Sequence, residues 1–187
     1  NGMFDLRQGH TTRVDESQPV PSTLVSEAAR TLIAFSGVTI LPDIPEYYRK
    51  YPALLTFLSA QKMPWKESRT LAGEIGEYIV MMRETEDAYL VGAATNESGR
   101  TIDLPLSFLE KGKYTVEVIE DGDDAHYLTN RESLKVTTWQ LTNNDKLALK
   151  LAPGGGACLV IKKTPSMRVG EQAAFPLVSP SWKIGRE

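Results

Sequence analysis

From residue 71 onward the chain is written in short stretches of about five to nine residues, rich in Val, Ile, Tyr and Thr, each closed by residues that favour turns. That rhythm constrains the fold more than any other feature. It predicts strands over residues 75–83, 87–95, 100–106, 113–120, 133–141, 145–151 and 157–163. Between them, Glu86-Asp87, Asn96-Glu97-Ser98-Gly99, Asp121-Gly122-Asp123 and Asn143-Asn144-Asp145 supply residues that tolerate tight or left-handed backbone. Gly154-Gly155-Gly156 follows a strand but lacks the lysine and hydroxyl ending of a phosphate loop, so it reads as a tight hairpin. Strands this short, with no long helix between them, predict an antiparallel sandwich or barrel and argue against a parallel sheet. There is no internal repeat.

The chain before this region has a different period. Residues 1–21 are loop-like, with Gly2, Gly9, Pro19 and Pro21 and no apolar spacing. Over 22–36, Leu24, Ala28, Leu32 and Phe35 fall at helical spacing with Val25, Ala29 and Ile33 beside them. The apolar stripe is wide, which predicts a helix covered on more than one side. Ser22 is the expected cap and Gly37 the expected stop. A second helical pattern covers 45–60, opened by Pro45 and carried by Tyr47, Tyr48, Tyr51, Leu54, Leu55 and Leu58. Pro52 predicts a break within it. Residues 164–187 hold Pro165, Pro176 and Pro180 with little pattern and read as a tail. The expected division is therefore a helical segment, 1–61, a β-domain, 62–163, and the tail, 164–187.

Composition narrows the function classes. With 41% apolar and 24% charged residues, the 187-residue chain has the make-up of a globular protein and room for an ordinary core. Its formal charge of -3, with scattered lysines and arginines, argues against a nucleic-acid binder. No apolar run is long enough for a membrane helix. Cys158 is the single cysteine, so no internal disulfide is available; inside Ala157-Cys158-Leu159-Val160-Ile161 it reads as a buried, inert thiol. The start, Asn1-Gly2-Met3-Phe4-Asp5, shows neither an initiator methionine nor a signal peptide, and the chain reads as a piece of something longer.

Several segments, in order, carry a resemblance. They are Met3-Phe4-Asp5-Leu6; Leu32 to Tyr48, ending Leu41-Pro42-Asp43-Ile44-Pro45-Glu46-Tyr47-Tyr48; and Trp65-Lys66-Glu67-Ser68-Arg69. Ile75-Gly76-Glu77-Tyr78-Ile79-Val80, Tyr89-Leu90-Val91-Gly92-Ala93 and Thr95-Asn96-Glu97 follow. Leu106-Ser107-Phe108-Leu109, Gly112-Lys113-Tyr114, Asp121-Gly122-Asp123-Asp124-Ala125 and Leu149-Lys150-Leu151-Ala152-Pro153-Gly154-Gly155-Gly156 complete the pattern. Together, over roughly residues 1–163, they resemble the C-terminal end of glycoside hydrolase family 97. Lys66 departs from the pattern, standing where an acid is commoner, and nothing after Lys163 has a counterpart.

The resemblance implies a parent enzyme with an N-terminal β-sandwich, a central (β/α)8 barrel and a C-terminal antiparallel β-domain, acting on α-glucosides or α-galactosides with calcium bound. It implies a periplasmic or extracellular bacterial location. The fold expected here is mainly β, an antiparallel sandwich of about seven to eight strands, after a short helical segment that resembles the last helix of the barrel. The catalytic acids of the family precede the Met3-Phe4-Asp5 loop, so none is carried over to this chain. Phe4, Asp5 and His10 would lie on the loop side where barrel active sites form and could line a sugar pocket in the whole enzyme.

Glycoside hydrolysis needs two facing carboxyl groups. Glu74 and Glu77, three apart near the expected start of a strand, point to opposite faces, and Glu117 and Glu120 share that difficulty. Glu84, Glu86 and Asp87 form a turn. Asp121, Asp123 and Asp124 suggest calcium only weakly, since the late glutamate of a calcium loop is missing. His10 and His126 have no metal-ligand spacing. The expectation is no metal and no cofactor on this chain. Trp65 and Trp139 are the candidate sugar contacts, against an anchoring role for Trp65 and a core or sandwich-face role for Trp139; Trp182 is the third tryptophan. Two readings follow. One is a non-catalytic β-domain that supports the barrel of its parent enzyme. The alternative is a stand-alone carbohydrate-binding module, which predicts an exposed row of aromatics.

Overall fold

The computed structural model describes residues 21–34 and 45–165. The element order is α1 (Leu24–Ile33), α2 (Pro45–Lys50), α3 (Pro52–Ser59), β1 (Glu67–Glu74), β2 (Tyr78–Glu84), β3 (Tyr89–Thr95), β4 (Arg100–Pro105), β5 (Lys113–Asp121), β6 (Leu134–Thr142), β7 (Lys146–Leu151) and β8 (Gly156–Lys163). Six strands form one antiparallel sheet in the order β1-β2-β3-β8-β5-β6, and β4 pairs with β7 in a second, smaller sheet. The mainly-β antiparallel sandwich expected from the sequence is the fold observed.

The central strands of the large sheet are buried on both faces. Towards the small sheet lie Val80, Met82, Val91, Tyr114, Val116, Leu159 and Ile161, packed on Ile102, Leu104, Leu149 and Leu151. Towards the helices lie Leu90, Ile119, Cys158 and Val160, packed on Leu24, Val25, Ala28, Ala29, Leu32, Leu54 and Phe57. This explains why the central strands β3 and β8 show little polar alternation: a strand covered on both sides reads as a continuous apolar run. The wide stripe of α1 has the same cause, since the helix meets β3 and β8 on one side and α3 on another.

Two glycines let α1 approach the sheet. A Cβ on Gly92 would stand 2.9 Å from the Ala29 carbonyl oxygen. A Cβ on Gly156 would stand 2.6 Å from the Ser26 Cα. Helix backbone thus rests directly on strand backbone.

Several local expectations are corrected. Thr23, not Ser22, caps α1: its hydroxyl accepts from the Ser26 amide at 3.2 Å, while Ser22 Oγ donates to Glu27 instead. The helix ends at Ile33 with Ala34 as its cap residue; Phe35 and Gly37 lie outside the described residues. The 45–60 pattern does break at Pro52, into α2 and α3. The strand expected over 75–83 begins at Tyr78, and β1, over Glu67–Glu74, was not foreseen. Its sequence, with Glu67, Ser68, Arg69 and Gly73, has low β-propensity and a register shift between Thr70 and Ala72. Glu74 therefore closes β1 and Glu77 sits in the turn to β2, so they do not share a strand. Asp121 is the last residue of β5, and a connection of residues 122–133 follows in place of a tight hairpin.

Candidate functional surfaces

Asp121 is the polar centre of the domain. It is 2% exposed. Its Oδ1 accepts from Thr23 Oγ1 at 2.6 Å, and its Oδ2 accepts from the amides of Gly156 at 2.8 Å and Ala152 at 3.0 Å. The carboxylate thus joins the N-terminus of α1 to the β7–β8 turn, and a Cβ on Gly155 would collide with Oδ2. Burial pushes the Asp121 carboxyl above its ordinary range, against the pull of the Thr23 hydroxyl and the two amides.

Its neighbours in sequence are occupied elsewhere. Asp123 Oδ1 accepts from Lys150 Nζ at 3.0 Å, and Asp124 accepts from Ser133 and from Asn130 Nδ2 at 2.8 Å. Glu120 pairs with Lys135 at 3.1 Å. Glu120 and Asp123 share Lys135, and among the described residues no three His, Cys, Asp or Glu side chains are grouped to hold a metal. The calcium implied for a family 97 parent does not fit this turn. His126 stacks on Tyr127, with ring centroids 4.9 Å apart, and its Nδ1 accepts from the Leu128 amide.

The candidate sugar contacts are far apart in character. Trp65 is partly buried on the helix side of the sheet, with the Arg83 guanidinium 5.7 Å from its ring centre. Arg83 is itself buried and donates from Nε to the Leu32 carbonyl at 2.9 Å and from Nη2 to that of Ile33 at 3.2 Å, closing the C-terminal end of α1. Trp139 is 50% exposed on β6. It pairs with Val116, so its ring lies on the small-sheet side. There it borders a cleft of about 400 Å³ with Glu120, Lys135, Thr137, Lys146 and Leu149. Phe4, Asp5, His10 and Trp182 lie outside the described residues.

A second cleft, of about 610 Å³, opens at the β1–β2 turn between Ile33, Ile79 and Tyr78, with Ile75 fully exposed at its tip. Among the described residues, the large sheet also has two unpaired edges, β1 and β6. Spacing along a strand says which face a residue takes, but not whether the strand is central or at an edge.

The sequence of the domain matches the family described as glycosyl-hydrolase 97 C-terminal, oligomerisation, over residues 64–162, just over half of the chain. The chain belongs to glycoside hydrolase family 97. It is similar to a retaining alpha-galactosidase of Bacteroides thetaiotaomicron, 33% identical over an alignment of 170 residues that covers 87% of this chain and 25% of that protein. A probable retaining alpha-galactosidase of Streptomyces bingchenggensis is 28% identical over 66% of this chain and 19% of its own length. Among solved structures, a family 97 enzyme from Pseudoalteromonas sp. strain K8, in complex with acarbose, superimposes with a TM-score of 0.79 at 26% identity, covering 88% of this chain and 26% of that one. A beta-arabinopyranosidase shares the fold, with a TM-score of 0.63 at 22% identity. The chain thus spans about a quarter or less of the length of these relatives. Within family 97, the sheet described above is the C-terminal domain.

Proposed function

We propose that this chain is the non-catalytic assembly domain of a family 97 α-glycosidase, supporting the end of the catalytic barrel and joining copies of the enzyme. The observation that carries this reading is the shared core of helices and sheet. Leu24, Ala28, Leu32 and Phe57 are sealed against Leu90, Cys158 and Val160, and Asp121 and Arg83 tie the two ends of α1 to the sheet. Helices at the barrel end are thereby fastened to the C-terminal domain as one packed unit. The family's description as an oligomerisation domain supports the second half of the reading.

Two acids that line the clefts are held in ion pairs, Glu77 with Arg100 at 2.8 Å and Glu120 with Lys135 at 3.1 Å, and Asp123 is paired with Lys150 at 3.0 Å. Such carboxylates serve the fold and lack the facing partner that glycoside hydrolysis requires. On this reading the catalytic acids and calcium reside in the barrel of a parent enzyme that works outside the cytoplasm of a bacterium. Two relatives named as alpha-galactosidases favour α-galactosides over α-glucosides as its substrates.

Sedimentation of the purified chain tests the assembly role, and nitrophenyl α-galactoside and α-glucoside with calcium present test the absence of catalysis. An oligomer without turnover is expected. Turnover that survives repurification and disappears when one carboxylate of this chain is replaced overturns the non-catalytic reading. A strict monomer overturns the assembly role.

Trp139 favours a second reading, a sugar-binding module. It is a half-exposed indole beside a cleft bordered by charged side chains. Millimolar or tighter binding of galactose or maltotriose in calorimetry, abolished in Trp139→Ala, would support it; no heat at those concentrations rejects it. It stands second because no further aromatic lines that cleft.

A further inference from the structure

The two edges of the large sheet are built differently. An open edge offers unpaired amides and carbonyls to any other strand, and proteins blunt such edges with charges, bulges, prolines or short length. β1 is blunted: Glu67, Arg69 and Glu74 lie along it, Gly73 interrupts it, and its register shifts between Thr70 and Ala72. β6 is not. It runs nine residues, Leu134–Thr142, in unbroken register with β5, with three threonines, Val136 and Trp139, and Lys135 as its one charge. Neither proline nor glycine interrupts it. Among the described residues no strand pairs with its outer side, and Val136 and Trp139 are exposed on its two faces.

We infer that β6 is the joint between two copies of this chain. This rests on the assembly role proposed above and names the surface that performs it. The copies pair β6 to β6 in antiparallel fashion about a twofold axis centred on Thr138, which fuses two six-stranded sheets into one.

Three observations support that occupant. A twofold contact must be self-complementary, and an antiparallel strand paired with itself meets that condition automatically. A twofold perpendicular to the sheet preserves both faces, so Thr137 of one copy stands opposite Trp139 of the other, and Val136 opposite Gln140. In this register Lys135 faces Leu141, so the single charge of the strand never meets itself. The two Trp139 rings become diagonal neighbours, within reach of aromatic side chains. Each then covers the half-exposed face of the other.

Charge placed at the axis gives the test. Thr138 is exposed and contributes to neither core. In Thr138→Lys the two copies set like charges directly opposite each other, and Thr138→Asp does the same with the opposite sign. Each variant alone is expected to raise the dimer dissociation constant by about tenfold or more in analytical ultracentrifugation, with unchanged circular dichroism. Mixing the two variants is expected to restore association as a heterodimer. Hydrogen exchange provides a second readout on the unmodified chain, with protection of the β6 amides rising with protein concentration.

A dimer that ignores both variants, or a mixture that fails to reassociate, overturns the β6 joint while leaving the assembly role standing. Protection of β6 that is independent of concentration assigns the edge to another segment of the same chain and also overturns it. A monomer at every concentration overturns the assembly role together with the joint.

Discussion

Thr23 Oγ1 donates a 2.6 Å hydrogen bond to Asp121 Oδ1, joining residues 98 positions apart in a buried site. The same hydroxyl accepts from the Ser26 amide, so one side chain caps the first helix and anchors it to the sheet. The other oxygen of Asp121 holds the turn between β7 and β8.

Removing the carboxylate should therefore be costly. Asp121→Ala leaves two buried amides and a hydroxyl without their acceptor and is expected to destabilise the chain by about 3 kcal/mol, since each stranded buried group costs about 1–3 kcal/mol. Asp121→Asn retains an acceptor for the two amides and should stay within about 1 kcal/mol of the parent chain at neutral pH. Urea unfolding of both variants checks the contrast; equal losses would reject it.

The same site carries a pH signature. The folded-state pKa of Asp121 is raised by burial. Its contribution to stability is thus fully present below the ordinary aspartate value and is lost as pH rises through the raised one. Asp121→Asn cannot titrate. Its unfolding midpoint should therefore gain on that of the parent chain as pH rises from the ordinary aspartate value through the raised one. A constant difference between the two across that range counts against a raised pKa.

Gly156 lies where α1 crosses β8, with room for no side chain. Gly156→Ala sets a methyl group against Ser26 and the Ala93 carbonyl and is expected to cost about 2 kcal/mol or more, the scale of overpacking a core. Gly99→Ala, in the connection between β3 and β4, meets atoms no closer than 3.1 Å and should cost less. Thermal melts of the pair test the order.

Arg83 closes the C-terminal end of α1 through the Leu32 and Ile33 carbonyls and also donates from Nη1 to Ser68 Oγ at 2.7 Å. Its planar fork makes bonds that one ammonium cannot reproduce. Arg83→Lys is expected to lose about 1–2 kcal/mol and Arg83→Met about 2–3 kcal/mol by chemical denaturation, in line with hydrogen bonds made by charged groups. A lysine variant as stable as the parent chain would show that charge alone suffices.

Cys158 is fully buried, and burial drives its thiol well above the ordinary range. The thiolate is the reactive form. Ellman's reagent should therefore leave the folded chain unlabelled for hours at pH 8 and label it fully in 6 M guanidinium, with "about one thiol" per chain as the end point. Prompt labelling of the folded chain would mean that α1 detaches from β8 readily.

Sequence pattern alone determined the kinds of element and nearly all their places. Short stretches rich in Val, Ile, Tyr and Thr and closed by turn residues became β2 through β8, the 3.6-residue period of Leu24, Ala28 and Leu32 became α1, and Pro52 divided α2 from α3, because these signals act between close neighbours in the chain. The ordered segments that resemble family 97 were legible for the same reason, and the family match over residues 64–162 agrees with them. Tertiary structure decided the rest. Asp121 read as a turn residue until the order β3-β8-β5 brought Gly156 and, across it, Thr23 to its carboxylate. Trp139 read as a core or sandwich-face residue; it takes the small-sheet side of β6, yet its ring is left half exposed beside the cleft bordered by Lys146 and Leu149 of β7. Whether a strand is central or at an edge depends on hydrogen bonds to partners tens of residues away, and no local spacing records that choice. The surfaces on which this domain works arise from that order of strands.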